Sequence, residues 1–333
     1  MGYLRLWLAV SVMFAHYGLP AGARVVNGGS DVRCFFVLSG YVIALVLDGR
    51  YRDRIGLYLK LRLLRIFPAY YAALALTIAA WSVVWFGWGL PRGPVAFWAQ
   101  HPPDAWGCIL LVLQHVFLIG MEWFSRFNLG AQRQLDYLML PPAWTLSVEL
   151  CFYLVAPWLL KASDRLLWLS VAVTLLIKAF VDPASNWGAP LLPMELGYFS
   201  LGVLGWRWQR GRDIPALKSW LLLAATGLAF LGLPYVFTTQ SGQDLLAPVI
   251  AALALPCLHR VGQAWRWDRQ AGEVSYALYL LHPLTGLMLA MVLKGAGPWP
   301  RALALAVGSL CAAIVFWRVV EEPVTRLRRR LSE

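Results

Sequence analysis

Apolar positions gather into eleven long runs, at residues 3–20, 33–48, 67–89, 106–121, 144–160, 166–181, 196–209, 219–237, 245–259, 274–293 and 302–318. A helix needs about 20 apolar residues to cross the hydrocarbon core of a bilayer. Several runs contain Gly or Pro, which spanning helices tolerate better than soluble ones. The pattern predicts an all-α polytopic membrane protein. No fixed-period repeat or low-complexity tract interrupts it, so residues 1–333 read as one transmembrane domain.

Composition strengthens this picture. Of the 333 residues, 60% are hydrophobic and 14% charged, against about 45–50% and about 25% in a soluble domain. So few charges cannot cover a water-facing surface, and the excess must face lipid. Five cysteines stand singly within apolar runs. Without paired Cys or Cys/His spacing they read as free core thiols, and no metal is expected.

The net charge of +12 suggests either nucleic acid or membrane topology. Its distribution decides between them. Connection 49–65 holds Arg50, Arg52, Arg54, Lys60, Arg62 and Arg65, and further basic residues crowd 207–218, 260–269 and the tail. Segments 182–195 and 238–244 contain no Lys or Arg. Cytoplasmic loops carry the excess of Lys and Arg. Both termini are then cytoplasmic, and the number of crossings is even. Eleven runs cannot all cross, and the conflict falls between Phe67 and Pro142. Segment 106–121, a short run containing Gln114 and His115, is expected to lie re-entrant or interfacial on the outer side. About ten transmembrane helices remain. Topology accounts for the charge, so no nucleic-acid partner is expected.

Ionisable groups inside spans are costly and normally face the bundle interior. His16 follows Arg5 by eleven residues, about three turns plus 20°, so the two share a helix face about 16 Å apart. That sets a fixed cation near the inner surface and a titratable imidazole deeper on the same wall. A snorkelling Arg5 and a hydrogen-bonded interior histidine form the plainer alternative. Glu149 stands about two turns inside a span opened by Pro141-Pro142. It needs an Arg or His partner or must stay protonated; a structural ion pair is the alternative. His282-Pro283 lies mid-span after Tyr276 and Tyr279. The proline frees a backbone carbonyl one turn back, and a tyrosine-packed kink is the plain reading. Arg62 and Arg65 share one face. Their guanidinium forks suit phosphate oxygens, although a solvated basic run explains most of that loop.

Six stretches together resemble the acyltransferase family 3 integral-membrane proteins. They are Arg5 with ten residues and then His16; Phe35-Phe36-Val37-Leu38-Ser39-Gly40-Tyr41; Arg62-Leu63-Leu64-Arg65-Ile66-Phe67-Pro68; Trp144-Thr145-Leu146-Ser147-Val148-Glu149; Ser275 to Pro283; and Val320-Glu321-Glu322-Pro323. Each is short, but they occur in family order across residues 5 to 323. Two features depart from the pattern. Arg33-Cys34 stands where the family often has Asp and an aliphatic residue, so no role of that acid carries over. The chain also stops ten residues after Pro323, so the extracytoplasmic hydrolase-like domain of some relatives is expected to be absent. Handing an acyl group to such a domain would then require a separate protein.

The resemblance implies a multi-pass protein of the bacterial inner membrane that O-acylates a sugar hydroxyl on a cell-surface glycan or its precursor. The implied donor is acetyl-CoA or another acyl-CoA, a co-substrate rather than a bound cofactor. Arg5, Arg62 and Arg65 become candidate phosphate clamps. His16 is the candidate base, since its ordinary titration range suits proton removal from a hydroxyl. Glu149 would orient it or stabilise its cation. Ser39, Trp144, Ser147, Tyr276, Tyr279 and His282 are substrate or structural candidates. Ser39 beside Gly40 chiefly suggests close helix packing. Direct transfer is preferred to an acyl-enzyme on His16, Ser39 or Ser147. The competing reading is a proton-coupled transporter or flippase, since intramembrane Arg, His and Glu also line carriers. No repeat relates the two halves, which counts against it.

Overall fold

The computed structural model describes residues 1–20, 23–124, 128–181, 191–262, 264–293 and 295–333. The chain winds through α1 (Gly2–Tyr17), α2 (Gly28–Gly49), α3 (Ile55–Ser82), α4 (Gly93–Gln100), α5 (Ala105–Phe117), α6 (Met121–Phe124) and α7 (Ala143–Leu159). It continues through α8 (Asp164–Phe180), α9 (Leu192–Gln209), α10 (Ala216–Val236), α11 (Gln240–Gly262), α12 (Asp268–Val292), α13 (Pro298–Phe316) and α14 (Glu322–Ser332). A π-turn over Val83–Gly87 prolongs α3, and another over Trp317–Glu321 joins α13 to α14. A small antiparallel ribbon pairs Asn128–Leu129 with Gln132–Arg133.

Each apolar run of the sequence lies on one of these helices. Among the described residues, six helical stretches are long and apolar enough to span a bilayer: Gly28–Gly49, Ile55–Gly87, Ala216–Val236, Gln240–Gly262, Asp268–Val292 and Pro298–Ser332. Helices Ala105–Phe117 and Ala143–Leu159 are apolar but shorter. The 13 residues of α5 cover about 20 Å at about 1.5 Å each, short of a core about 30 Å thick. Its polar residues are tied to the connection that follows. Gln134 donates to Gln114 Oε1 at 2.5 Å, and the backbone amide of Met139 donates to His115 Nε2 at 3.1 Å. Of the segment without basic residues at 182–195, positions 182–190 lie outside the described residues.

Two helix pairs set the frame of the bundle. α2 and α9 cross where Gly40 meets the backbone of Phe199 and Gly202 meets that of Val37. A Cβ on either glycine would lie 2.0 Å from the facing carbonyl oxygen. The second pair is α1 and α12. The Met1 amino group donates to Asp268 Oδ1 and Oδ2 at 3.0 and 2.9 Å, and the Tyr17 hydroxyl donates to the Pro283 carbonyl at 3.0 Å. The offset between partners is almost constant, at 267 and 266 residues. The two helices therefore run parallel and in register.

Arg33 belongs to a buried network of charges. Its guanidinium lies 3.3 Å from Glu195 and 2.7 Å from Asp244, while Lys178 reaches Glu195 at 2.7 Å. All four side chains are buried, so two cations and two carboxylates offset one another. Here the acids come from α9 and α11, and the cations come from α2 and α8. Charges removed from water need such partners.

Candidate functional site

Two cavities that share lining residues lie between α1, α2, α3, α7 and α12. The inner throat holds about 100 Å³ and is lined by Phe35, Phe36 and Ser39 of α2, Arg62, Arg65 and Ile66 of α3, Thr145, Glu149 and Tyr153 of α7, and Ser275, Tyr276 and Tyr279 of α12. The outer basin holds about 440 Å³. Arg5, Arg62 and Arg65 line both cavities, so three guanidiniums form a collar where they meet. Met1 and Ser332 both line the basin, which puts the two ends of the chain on one side of the bundle.

Helical spacing explains how these groups converge. Thr145, Glu149 and Tyr153 follow one another at four-residue intervals, one face of α7. Ser147, two residues from Glu149, points elsewhere: it is fully buried and its hydroxyl donates to Glu122. Trp144 packs against the main apolar core rather than lining the throat. Thus Ser39, Tyr276 and Tyr279 enter the cavity, and Ser147 and Trp144 do not.

Glu149 accepts hydrogen bonds from Ser39 Oγ, at 2.7 Å, and from the Tyr153 hydroxyl. Both bonds lie within the throat. The expected pairing of Glu149 with His16 is therefore not formed, because the carboxylate is held by neighbours on α2 and α7. Sequence reasoning missed Tyr153, although its position one turn after Glu149 was a usable signal.

The collar arginines stand on aromatic faces. Arg62 lies over Tyr58 and Tyr153, at 5.7 and 5.8 Å from the ring centroids, and Arg65 lies 5.0 Å over Tyr276. Such faces attract a cation without blocking its outward N–H groups. Arg65 also lies 3.6 Å from Glu321, a buried carboxylate on the π-turn before α14. The E-x-P stretch quoted from the sequence thus reaches the collar, a role that local pattern did not reveal.

Tyr279 lines the throat, with its hydroxyl 2.9 Å from Thr145 Oγ1, whereas neither His282 nor His16 lines it. Behind Tyr279 comes His282, with ring centroids 5.9 Å apart, and beyond that His16, stacked on His282 at 5.4 Å with planes 22° apart. The parallel register of α1 and α12 is what brings residue 16 beside residue 282. Pro283 removes the amide that would bond the Tyr279 carbonyl four residues back. His282 Nδ1 fills that place at 2.8 Å. A carbonyl only accepts, so Nδ1 carries the proton and Nε2 of the neutral ring remains an acceptor. His16 is exposed at the surface, while His282 is buried. The order from basin to surface is collar, throat, tyrosine, histidine pair.

Comparison with known proteins gives this arrangement a context. A family model described as an acyltransferase domain matches residues 1–318. Nodulation protein 10 of Rhizobium leguminosarum bv. viciae is 28% identical over 99% of this chain and 95% of its own length. Acyltransferase MdmB of Streptomyces mycarofaciens is 30% identical, covering 91% of this chain and 83% of its own. The exopolysaccharide production protein ExoZ of Rhizobium meliloti (strain 1021) is 24% identical over 95% and 96%. No solved structure matches the chain.

Proposed function

The chain belongs to acyltransferase family 3, and from that premise we propose that it carries an acetyl group from acetyl-CoA to a hydroxyl of a cell-surface glycan or glycan precursor. The observation that carries this reading is the arginine collar between a wide basin and a narrow throat. CoA has a bulky, multiply charged nucleotide end and a thin pantetheine arm. The basin suits the first, with Arg5, Arg62 and Arg65 holding phosphate oxygens, and the throat suits the second.

The thioester then reaches the neighbourhood of Tyr279 and the histidine pair. His16 takes the proton of the acceptor hydroxyl as its oxygen attacks the thioester carbon. The C–S bond breaks, and the proton passes to the departing CoA sulfur. His282, fixed by its bond to the Tyr279 carbonyl, supports the His16 ring by stacking. Glu149 acts in the throat with Ser39 and Tyr153 and balances the collar charge. No resident cofactor is required. The names of the relatives, an acyltransferase and an exopolysaccharide production protein among them, favour this reading over a carrier.

We place the protein in the bacterial inner membrane as a single ten-span domain with cytoplasmic termini and α5 on the outer side. The parallel pairing of α1 with α12 supports that count. With α5 excluded, α12 is the ninth crossing and runs the same way as the first; with α5 included it would run opposite. The basin is then cytoplasmic, where acetyl-CoA is made.

Membranes containing the protein, labelled acetyl-CoA and a crude glycan extract test the function. Label is expected in the glycan fraction with matching release of CoA. A carrier would move glycan without consuming acetyl-CoA, and absence of both label transfer and CoA release across several acceptors overturns the reading.

A further inference from the structure

The basin has one wall that neither the apolar pattern nor the family match accounts for. It is α14, which lies beyond the matched residues 1–318. Thr325, Arg328, Arg329 and Ser332 line the basin, at intervals of three, one and three residues, so they form a single face of that helix. The tail is held in this position from both ends. Glu321 at its start lies 3.6 Å from Arg65, and Arg50 donates to the Ser332 carbonyl at 2.6 Å near its finish. Leu331 packs on the main core from another face.

Charge bookkeeping within the basin leaves a surplus. Asp268 is taken by the Met1 amino group at 2.9 Å, and Glu273 lies 4.0 Å from Arg269 and 3.8 Å from Arg329. Arg65 has Glu321. Among the described residues, Arg5, Arg62 and Arg328 have no carboxylate at ion-pair distance. The Nε atoms of Arg62 and Arg328 are buried without a hydrogen-bond partner. Three guanidiniums without a direct ion-pair partner around one basin call for a ligand with several negative charges.

We propose that α14 is part of the donor site, with Arg328 gripping the nucleotide phosphates of the acyl-CoA opposite the collar. This rests on the acyl-CoA reading above and adds a specificity element to it. Arg5, Arg62 and Arg65 stand where phosphate gives way to pantetheine. Arg328, on the tail, faces the part of the donor that pantetheine lacks. The tail therefore makes the enzyme prefer full acyl-CoA to a bare acyl-pantetheine thioester.

The test compares kcat/KM for acetyl-CoA and S-acetylpantetheine in wild type, Arg328→Gln and Arg330→Gln. Arg330 is an exposed cation on the same helix that does not line the basin. Wild type is expected to favour acetyl-CoA strongly. Arg328→Gln should shrink that preference by about 10- to 100-fold, the loss expected for a charge-assisted phosphate contact. Inhibition by adenosine 3′,5′-bisphosphate should weaken in the same variant, and Arg330→Gln should retain the wild-type preference. If Arg328→Gln does not fold, Arg328→Lys keeps the charge, loses the fork and should show a partial loss of preference. An equal fall with both donors, or an unchanged preference, overturns the proposal. Wild-type protein that transfers acetyl from neither donor overturns the acyl-CoA reading itself.

Discussion

His16→Ala is expected to lower acetyl transfer by about 10²- to 10⁴-fold, the range contributed by a positioned general base. The loss should fall on kcat. In the proposed site acetyl-CoA is held by Arg5, about 16 Å from His16 along the axis of α1, and by Arg62 and Arg65 of α3, and these groups remain. The variant should therefore bind labelled acetyl-CoA with near wild-type affinity while failing to release CoA on addition of glycan. His16 is exposed and makes its ring contact with His282, so truncation leaves no buried cavity and the fold should survive. Wild-type turnover in a folded His16→Ala protein would remove His16 from the chemistry.

The second large effect concerns assembly of the bundle. Gly202→Val should prevent α2 and α9 from closing, because its Cβ would lie 2.0 Å from the Val37 carbonyl oxygen and 2.6 Å from the Tyr41 amide nitrogen. Both obstructing atoms are backbone, so no rotamer change relieves the clash. The cost is expected to reach about 3 kcal/mol or more, lowering Tm by about 10 °C or abolishing the monodisperse peak in size-exclusion chromatography. Gly227→Ala provides the contrast. Nothing lies within 4 Å of a Cβ there, and alanine is the better helix former, so Tm should hold or rise slightly. A Gly202→Val protein as stable as wild type would mean that the α2–α9 crossing is looser than described.

Much of the architecture was legible in the sequence, because lipid forces apolar residues into runs and backbone groups into helices. The same locality made the His282-Pro283 pair readable: proline acts four residues back, and the freed Tyr279 carbonyl is the one His282 caps. The Arg5-to-His16 spacing likewise translated directly into a collar residue and a distant imidazole on one helix.

What escaped was set by contacts between distant segments. Glu149 could have met any interior cation or imidazole, and only the packing of α2 against α7 gives it Ser39 and Tyr153. Helical spacing separates Thr145 and Glu149 from Ser147, but it does not say which side meets the cavity. Arg328 read as one of several basic tail residues. Its place in the basin depends on Arg50 and Arg65 anchoring a helix at the far end of the chain, through Ser332 and Glu321. The pairing of His16 with His282 depends in the same way on α1 and α12 lying in parallel register.

In the proposed reaction the acyl group passes through the bundle, from a donor basin on the side of the termini to an acceptor beside His16 on the other. Sealed vesicles of defined orientation test it, with labelled acetyl-CoA supplied on one side and glycan acceptor on the other. Label should reach the acceptor when acetyl-CoA faces Met1 and Ser332 and the glycan faces the opposite surface, and it should fail to do so in the reverse arrangement. Transfer that requires donor and acceptor on the same side would mean that the acyl group does not cross the bundle.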